Sequence, residues 1–129
     1  VVGSRYVSGG GCSGWSWNRK LLSQLGNAYA RIFVSPSLRD LTGGYNLWHR
    51  RVLETIDLQT LTTKGYAFQG ELKARALSTG FIGVEVPITF YERAANRSKM
   101  TWRIVIEALL SIPRLSLLRH RLTLIPSAK

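Results

Sequence analysis

The chain has 129 residues, 45% of them apolar, with 12 glycines and 4 prolines, a composition that can bury one core and argues against disorder. Its single cysteine, Cys12, excludes an internal disulfide framework and fits a reducing compartment, and no metal-ligand spacing surrounds it. The net charge of +11 calls for an anionic partner: nucleic acid, an acidic membrane surface or a phosphorylated substrate.

The chain opens without Met, and residues 1–6 read as the end of a buried strand entering a loop. A piece of a longer protein is therefore expected. Residues 8–14 hold four glycines, a flexible loop able to approach a phosphate. Across residues 15–33 the positions Leu21, Leu22, Leu25, Ala28, Tyr29, Ile32 and Phe33 recur at spacings of three and four, which predicts an amphipathic helix with Ser16 or Asn18 as N-cap. Arg19 and Ser23, four apart, share a face near the helix start, where free backbone N–H groups favour an anion. Alternatively Arg19, Lys20 and Arg31 form a solvated face.

Pro36 ends that helix. Residues 39–45, Arg-Asp-Leu-Thr-Gly-Gly-Tyr, combine a charge pair, a hydroxyl and two glycines between helix-like segments. The Gly pair permits positive φ or close approach to a ligand, and Asp40 and Thr42 can bond nearby N–H groups. A site loop and a plain helix stop with an Asx turn both fit. Residues 47–56 are short and helical or mixed, and His49, like His120, reads as a surface residue without a partner. Residues 57–64 are connective. Residues 65–79 predict a helix with Phe68, Leu72, Ala76 and Leu77 on one side, Gln69, Lys73 and Glu71 off it, and Gly80 as its stop. Residues 81–91 alternate Val84, Val86, Ile88 and Phe90 with polar positions, a strand in which Pro87 marks an edge or bulge.

Residues 92–99 form a polar loop with three cationic groups, able to close over an anion. An apolar face follows over 100–112, broken at Pro113, and then Leu115, Leu118, Leu122 and Ile125 stand beside Arg114, Arg119 and Arg121. From residue 93 onward eight Lys or Arg face one acid, Glu107. This is the pattern of basic interfacial helices, with two ordinary core-packing helices as the alternative. No secretory signal is visible, and no run of about 18 uncharged apolar residues exists to cross a bilayer. Trp15, Trp17, Tyr29 and Trp48 form no stacking ladder with the basic residues, so no nucleic-acid partner is expected.

In order along the chain stand Gly3-Ser4-Arg5-Tyr6, Gly9-Gly10-Gly11, Trp17 with Arg19 and Ser23, Asp40-Leu41-Thr42-Gly43-Gly44-Tyr45, Gly65-Tyr66-Ala67-Phe68-Gln69-Gly70-Glu71, Glu85-Val86-Pro87-Ile88-Thr89-Phe90, and Arg93 with Ser98-Lys99. This series resembles the polyprenol-phosphate (dolichol-phosphate) mannose synthases, inverting family 2 glycosyltransferases, from residue 1 to about residue 112. The resemblance implies an α/β fold, part of a GT-A (Rossmann-like) domain, that transfers mannose from GDP-mannose to the phosphate of a polyprenyl or dolichyl carrier with Mg²⁺ or Mn²⁺. The Asp-x-Asp metal motif of that family has no match here. Residues 1–99 therefore resemble the acceptor-side half, followed by basic amphipathic helices over 100–129. The nucleotide-binding half and its metal ligands are expected elsewhere, the 129 residues alone should be inactive, and the enzyme should lie peripherally on the cytoplasmic face of an anionic membrane.

By the same resemblance Arg5, Arg19 and Ser23 would hold the acceptor phosphate, and Arg93 and Lys99 would close a mobile loop over phosphates. Thr42, Gly43 and Gly44 would line the transfer site. Asp40 and Gln69 would be its catalytic-centre residues, Asp40 as organiser rather than base. Gln69 stands where relatives acting on neutral hydroxyls place an acidic base. The alternatives are a synthase using UDP-glucose or another nucleotide sugar with the same acceptor, and a non-catalytic basic membrane-binding module.

Overall fold

The computed structural model describes residues 1–61, 63, 65–92, 106 and 109–113. The elements are β1 (Val2–Ser4), β2 (Gly11–Ser13), α1 (Trp17–Phe33), α2 (Arg50–Thr55), a 3-10 turn (Leu58–Thr60), α3 (Gly65–Ser78), β3 (Glu85–Pro87) and β4 (Thr89–Tyr91). The architecture is mixed α/β with parallel strand pairing.

Two short ladders make one line. β1 pairs with β3 from Val2↔Glu85 to Ser4↔Pro87, and β2 pairs with β4 from Gly11↔Thr89 to Ser13↔Tyr91. Ile88 joins them: its N–H donates to the Ser4 carbonyl and its carbonyl accepts from Gly11 N–H, each at 3.0 Å. Residues 5–10 are thus looped out of a strand that leaves and rejoins the same partner. Glycine is required at the neck, because a Cβ on Gly10 would lie 2.5 Å from the Ser4 carbonyl oxygen, and Gly9 has φ +84°. The glycine run lets Arg5 and Tyr6 project from a pinched loop.

On its other edge β1 is closed by residues 45–47, with Gly3 N–H donating to Tyr45 O (2.8 Å) and Leu47 N–H to Val1 O (2.9 Å). β1, paired on both edges, is also buried along its length, its Val2 side chain packed in the core. Val2 joins Ala30, Val34, Leu38, Leu41, Ala74 and Ile112 in the main core, while Val52, Ile56, Leu72 and Ala76 form a second cluster with Trp48 and Phe68 packed against it.

The helices depart from their apolar stripes in instructive ways. α1 turns Leu22, Gly26, Asn27 and Ala30 inward and leaves Leu25 and Ile32 exposed, Ile32 at 76%. The polar demands of Asn27, described below, fix the helix rotation against the simple hydrophobic stripe. α3 is buried on nearly every side: Glu71 and Lys73, expected off its apolar face, are 0% and 1% exposed. Glu71 accepts from Thr63 N–H and Oγ1 and from Arg75, so its charge is paired rather than solvated. α3 stops as expected, with Gly80 at φ +89° and Phe81 N–H donating back to Ala76 O. His49, expected to lack a partner, is the N-cap of α2, its Nδ1 accepting from Arg51 N–H at 3.2 Å.

The strand expected over 81–91 is reduced to β3 and β4, and Val84 and Val86 face outward at 55% and 41% exposure. The alternate position, Glu85, is turned inward because its carboxylate serves the 39–45 loop. The 93–99 loop with Arg93 and Lys99, most of the 100–112 helix, the stripe to Ile125, His120 and the boundary at 99/100 lie outside the described residues. Residues 109–113 are helical. Among the described residues no helix is long and apolar enough to cross a membrane.

The pinched neck gives a paired prediction. Gly10→Ala should cost about 1–3 kcal/mol of unfolding free energy through overpacking. Gly11→Ala, where an added Cβ meets nothing within 4 Å, should stay within about 0.5 kcal/mol of wild type. Denaturant melts of the two variants check both.

Candidate functional site

The 39–45 loop is irregular yet partly buried, so its backbone groups need partners. Four side chains supply them. Glu85 accepts from Arg39 N–H (2.8 Å) and Asp40 N–H (2.9 Å). Asn27 Oδ1 accepts from Leu41 N–H (2.9 Å) and Thr42 N–H (3.1 Å). Asp40 Oδ1 accepts from Gly43 N–H at 2.9 Å. Lys73 Nζ donates to the carbonyls of Asp40, Leu41 and Gly43 at 3.0, 3.1 and 2.7 Å.

Asp40, fully buried, receives Arg5 in a two-pronged contact: Nε to Oδ2 at 2.7 Å and Nη2 to Oδ1 at 2.8 Å, with Arg5 N–H adding a third bond at 3.1 Å. Burial pushes the Asp40 carboxyl up, but the bonds and charge of Arg5 outweigh it and hold the group below its usual value. Burial pulls Arg5 down and Asp40 more than restores it. Lys73 is drawn by burial to about 8 from the ordinary lysine value, with Asp40 pulling the other way.

Of the two uses expected of glycine at 43 and 44, positive φ is not found. A Cβ on Gly43 would sit 3.0 Å from Asp40 Oδ1, so the missing side chain lets that carboxylate reach the Gly43 amide, while Gly44 has open space.

Beside this loop lies a cavity of about 400 Å³. Its walls are largely apolar, among them Trp15, Leu22, Tyr29, Ile88, Phe90 and Ile112, and its polar part comprises Arg5, Arg19, Ser23 and Thr42 with Gly43 and Gly44. The polar groups are donors. Arg5 Nη1 makes no hydrogen bond among the described residues. Thr42 Oγ1 already accepts from Asn27 Nδ2 (2.9 Å) and Arg5 Nη2 (3.2 Å), and Ser23 Oγ accepts from Tyr6 Oη at 2.6 Å, so each hydroxyl keeps its proton to give. Burial raises the Tyr6 phenol above its ordinary value, keeping it a donor to Ser23. Arg19 is ion-paired with Glu92, the partly exposed residue that follows β4. Both guanidinium groups lie over the Trp15 ring, Arg19 at 4.2 Å and Arg5 at 5.5 Å from its centroid.

The structure thus brings Arg5, Arg19, Ser23, Thr42, Gly43 and Gly44 to one cavity. Asp40 stands behind Arg5, outside the lining. Gln69 does not line the cavity either: its Oε1 accepts from Asn46 Nδ2 at 2.8 Å, and the same nitrogen reaches Gly43 O at 3.2 Å. Arg93 and Lys99 lie outside the described residues. Reasoning from sequence missed Asn27, Lys73, Glu85 and Trp15. A signal existed for the first two, since Asn27 continues the Arg19–Ser23 spacing of four and Lys73 stands four after Gln69. Among the described residues no group of three or more His, Cys, Asp or Glu could hold a metal ion, and the Asp40 carboxylate is spent on Arg5 and Gly43.

Breaking this pair should be costly and pH-dependent. Asp40→Asn leaves Arg5 buried without a counter-charge and should lose about 3 kcal/mol or more near pH 7. Because the folded carboxyl holds its proton less tightly than the unfolded one, the pair's contribution is complete above the unfolded value near 4 and fades as pH falls through the folded value. Unfolding measured between pH 7 and pH 2 should therefore show wild type and Asp40→Asn converging in acid, with no such narrowing above about pH 5.

The chain is 45% identical over 112 residues to a polyprenol monophosphomannose synthase of Mycolicibacterium smegmatis, a match covering 87% of this chain and 42% of that protein. It is 42% identical over 114 residues to an undecaprenyl-phosphate mannosyltransferase of Micrococcus luteus, covering 88% of this chain and 47% of that protein. The chain spans less than half the length of these curated relatives. No family model matches it, and no solved structure matches it. Over nearly nine tenths of its length, the chain is homologous to part of the polyprenyl-phosphate mannosyltransferases.

Proposed function

We propose that this chain is the acceptor-side part of an inverting GT-A glycosyltransferase that moves mannose from GDP-mannose to the phosphate of a polyprenyl phosphate at the cytoplasmic face of an anionic membrane. In this reading residues 1–99 belong to the transferase domain, Ile112 packs into its core, and the basic side chains of residues 100–129 meet the membrane. The observation that carries it is the cavity, whose apolar walls suit a prenyl chain and whose polar part offers Arg5 Nη1 and the Ser23 and Thr42 hydroxyls as donors to a phosphate. The relatives' names supply the class of acceptor and the sugar for those proteins.

The chemistry asks little of a base. A phosphate monoester is already anionic near neutral pH, so its oxygen can attack the anomeric carbon as the bond from that carbon to the nucleoside diphosphate breaks, the leaving group taking the electron pair. What the protein must supply is position and charge balance. Arg5, fixed by Asp40, and Arg19 provide the cationic face. Arg19 exchanges Glu92 for the phosphate as it does so. Gln69, an amide held through Asn46, has no proton to take and serves to seat the loop. The divalent metal implied by the resemblance finds no ligand set among the described residues, so no step is routed through it.

The test is a radiolabelled transfer assay on the full-length protein, with polyprenyl phosphate or polyprenol as acceptor and GDP-mannose or UDP-glucose as donor. Transfer should require the phosphate and prefer GDP-mannose. Arg19→Ala should slow it by about 100-fold or more with the donor KM little changed. Transfer from UDP-glucose alone would replace the donor assignment, and near-normal turnover in Arg19→Ala would overturn the acceptor role.

A further inference from the structure

A buried ammonium is unusual unless it is needed, and Lys73 is 1% exposed with no carboxylate in ion-pair contact among the described residues. All three of its protons go to one short piece of backbone, the carbonyls of Asp40, Leu41 and Gly43. A methionine would fill the same volume without the desolvation. What only the ammonium supplies is orientation of three peptide planes. From the opposite side Asn27, on α1, takes the N–H groups of Leu41 and Thr42. The turn is therefore clamped between α3 on its carbonyl side and α1 on its amide side.

The outward products of that clamp all face the cavity or Arg5. Asp40 presents two oxygens to the Arg5 guanidinium, Thr42 Oγ1 meets Arg5 Nη2, and Gly43 and Gly44 form cavity wall. We propose that Lys73 is a positioning residue for the acceptor: by fixing the 40–43 turn it sets the direction of Arg5 and the shape of the cavity that receives the phosphate. It touches no substrate itself. This inference rests on the acceptor reading above.

The experiment compares Lys73→Met with Leu72→Ala in the full-length protein. Leu72 is buried in the second core cluster, so its truncation destabilises α3 without touching the turn. Lys73→Met should raise the KM for polyprenyl phosphate by about tenfold or more while the donor KM moves less than about twofold. Leu72→Ala should lower the melting temperature and leave both KM values near wild type. If Lys73→Met does not fold, Lys73→Gln, which keeps two donors, takes its place with the same expectation. Hydrogen exchange at the Gly43 amide, which bonds Asp40 Oδ1, adds a readout that needs no turnover, faster in the Lys73 variant than in Leu72→Ala at matched stability. An unchanged acceptor KM in a folded Lys73 variant, or equal exchange in the two variants, would overturn the positioning role. Wild-type protein inactive toward polyprenyl phosphate would instead sink the functional reading, and the exchange comparison would still decide the clamp.

Discussion

The structure depends on the Asp40 carboxylate being held, fully buried, between the Arg5 guanidinium and the Gly43 amide. An irregular turn placed between helices must find partners for each of its buried N–H and C=O groups or lose the free energy of folding them. Here the partners come from three elements and the turn itself: Glu85 on β3, Asn27 on α1, Lys73 on α3 and Asp40 within the turn, whose carboxylate is held in its place by Arg5 at the end of β1. The turn is the point where β1, β3, α1 and α3 are tied by polar bonds as well as by the core of Val2, Ala30, Leu38, Leu41 and Ala74. Polar networks of this kind specify one arrangement because half-satisfied alternatives are costly.

That constraint also explains the division of labour around the cavity. Residues whose charges are consumed in building the turn, Asp40, Glu85 and Lys73, stand behind the wall. Those with donors to spare, Arg5, Ser23 and Thr42, form its surface. The looped-out residues 5–10 deliver Arg5 to that surface and Tyr6 to its bond with Ser23 without breaking the strand line, because β2 rejoins the same partner segment one residue beyond β3. Trp15 binds the arrangement together at its outer side, with a guanidinium from the loop and another from α1 over one ring and Phe90 against its edge at 5.5 Å.

Much of this was legible in the sequence, and the failures have physical causes. The α1 and α3 segments followed from apolar spacing and from Gly80, and the gathering of Arg19, Ser23 and Thr42 followed from spacing and the motif series. What periodicity could not give was the rotation of each helix. Asn27 and Lys73 are polar, so a hydrophobic pattern assigns them to solvent, yet each is buried because it completes the hydrogen bonds of a distant turn. Val84 and Val86 face outward for the complementary reason, since Glu85 between them is needed inside. Gly43 reads as a flexible residue when its role is to leave room for a carboxylate. Burial of charge paired over a long sequence separation is the signal a single sequence carries least well.

The central claim is that one cavity recognises a lipid and its phosphate together, and calorimetric titration of the full-length protein with farnesyl phosphate, farnesol and inorganic phosphate tests it most directly. The account predicts saturable one-to-one binding of farnesyl phosphate, at least about tenfold tighter than either farnesol or phosphate alone, because charge-assisted hydrogen bonds add to apolar burial in the same site. Equal affinity for farnesol and farnesyl phosphate would contradict it.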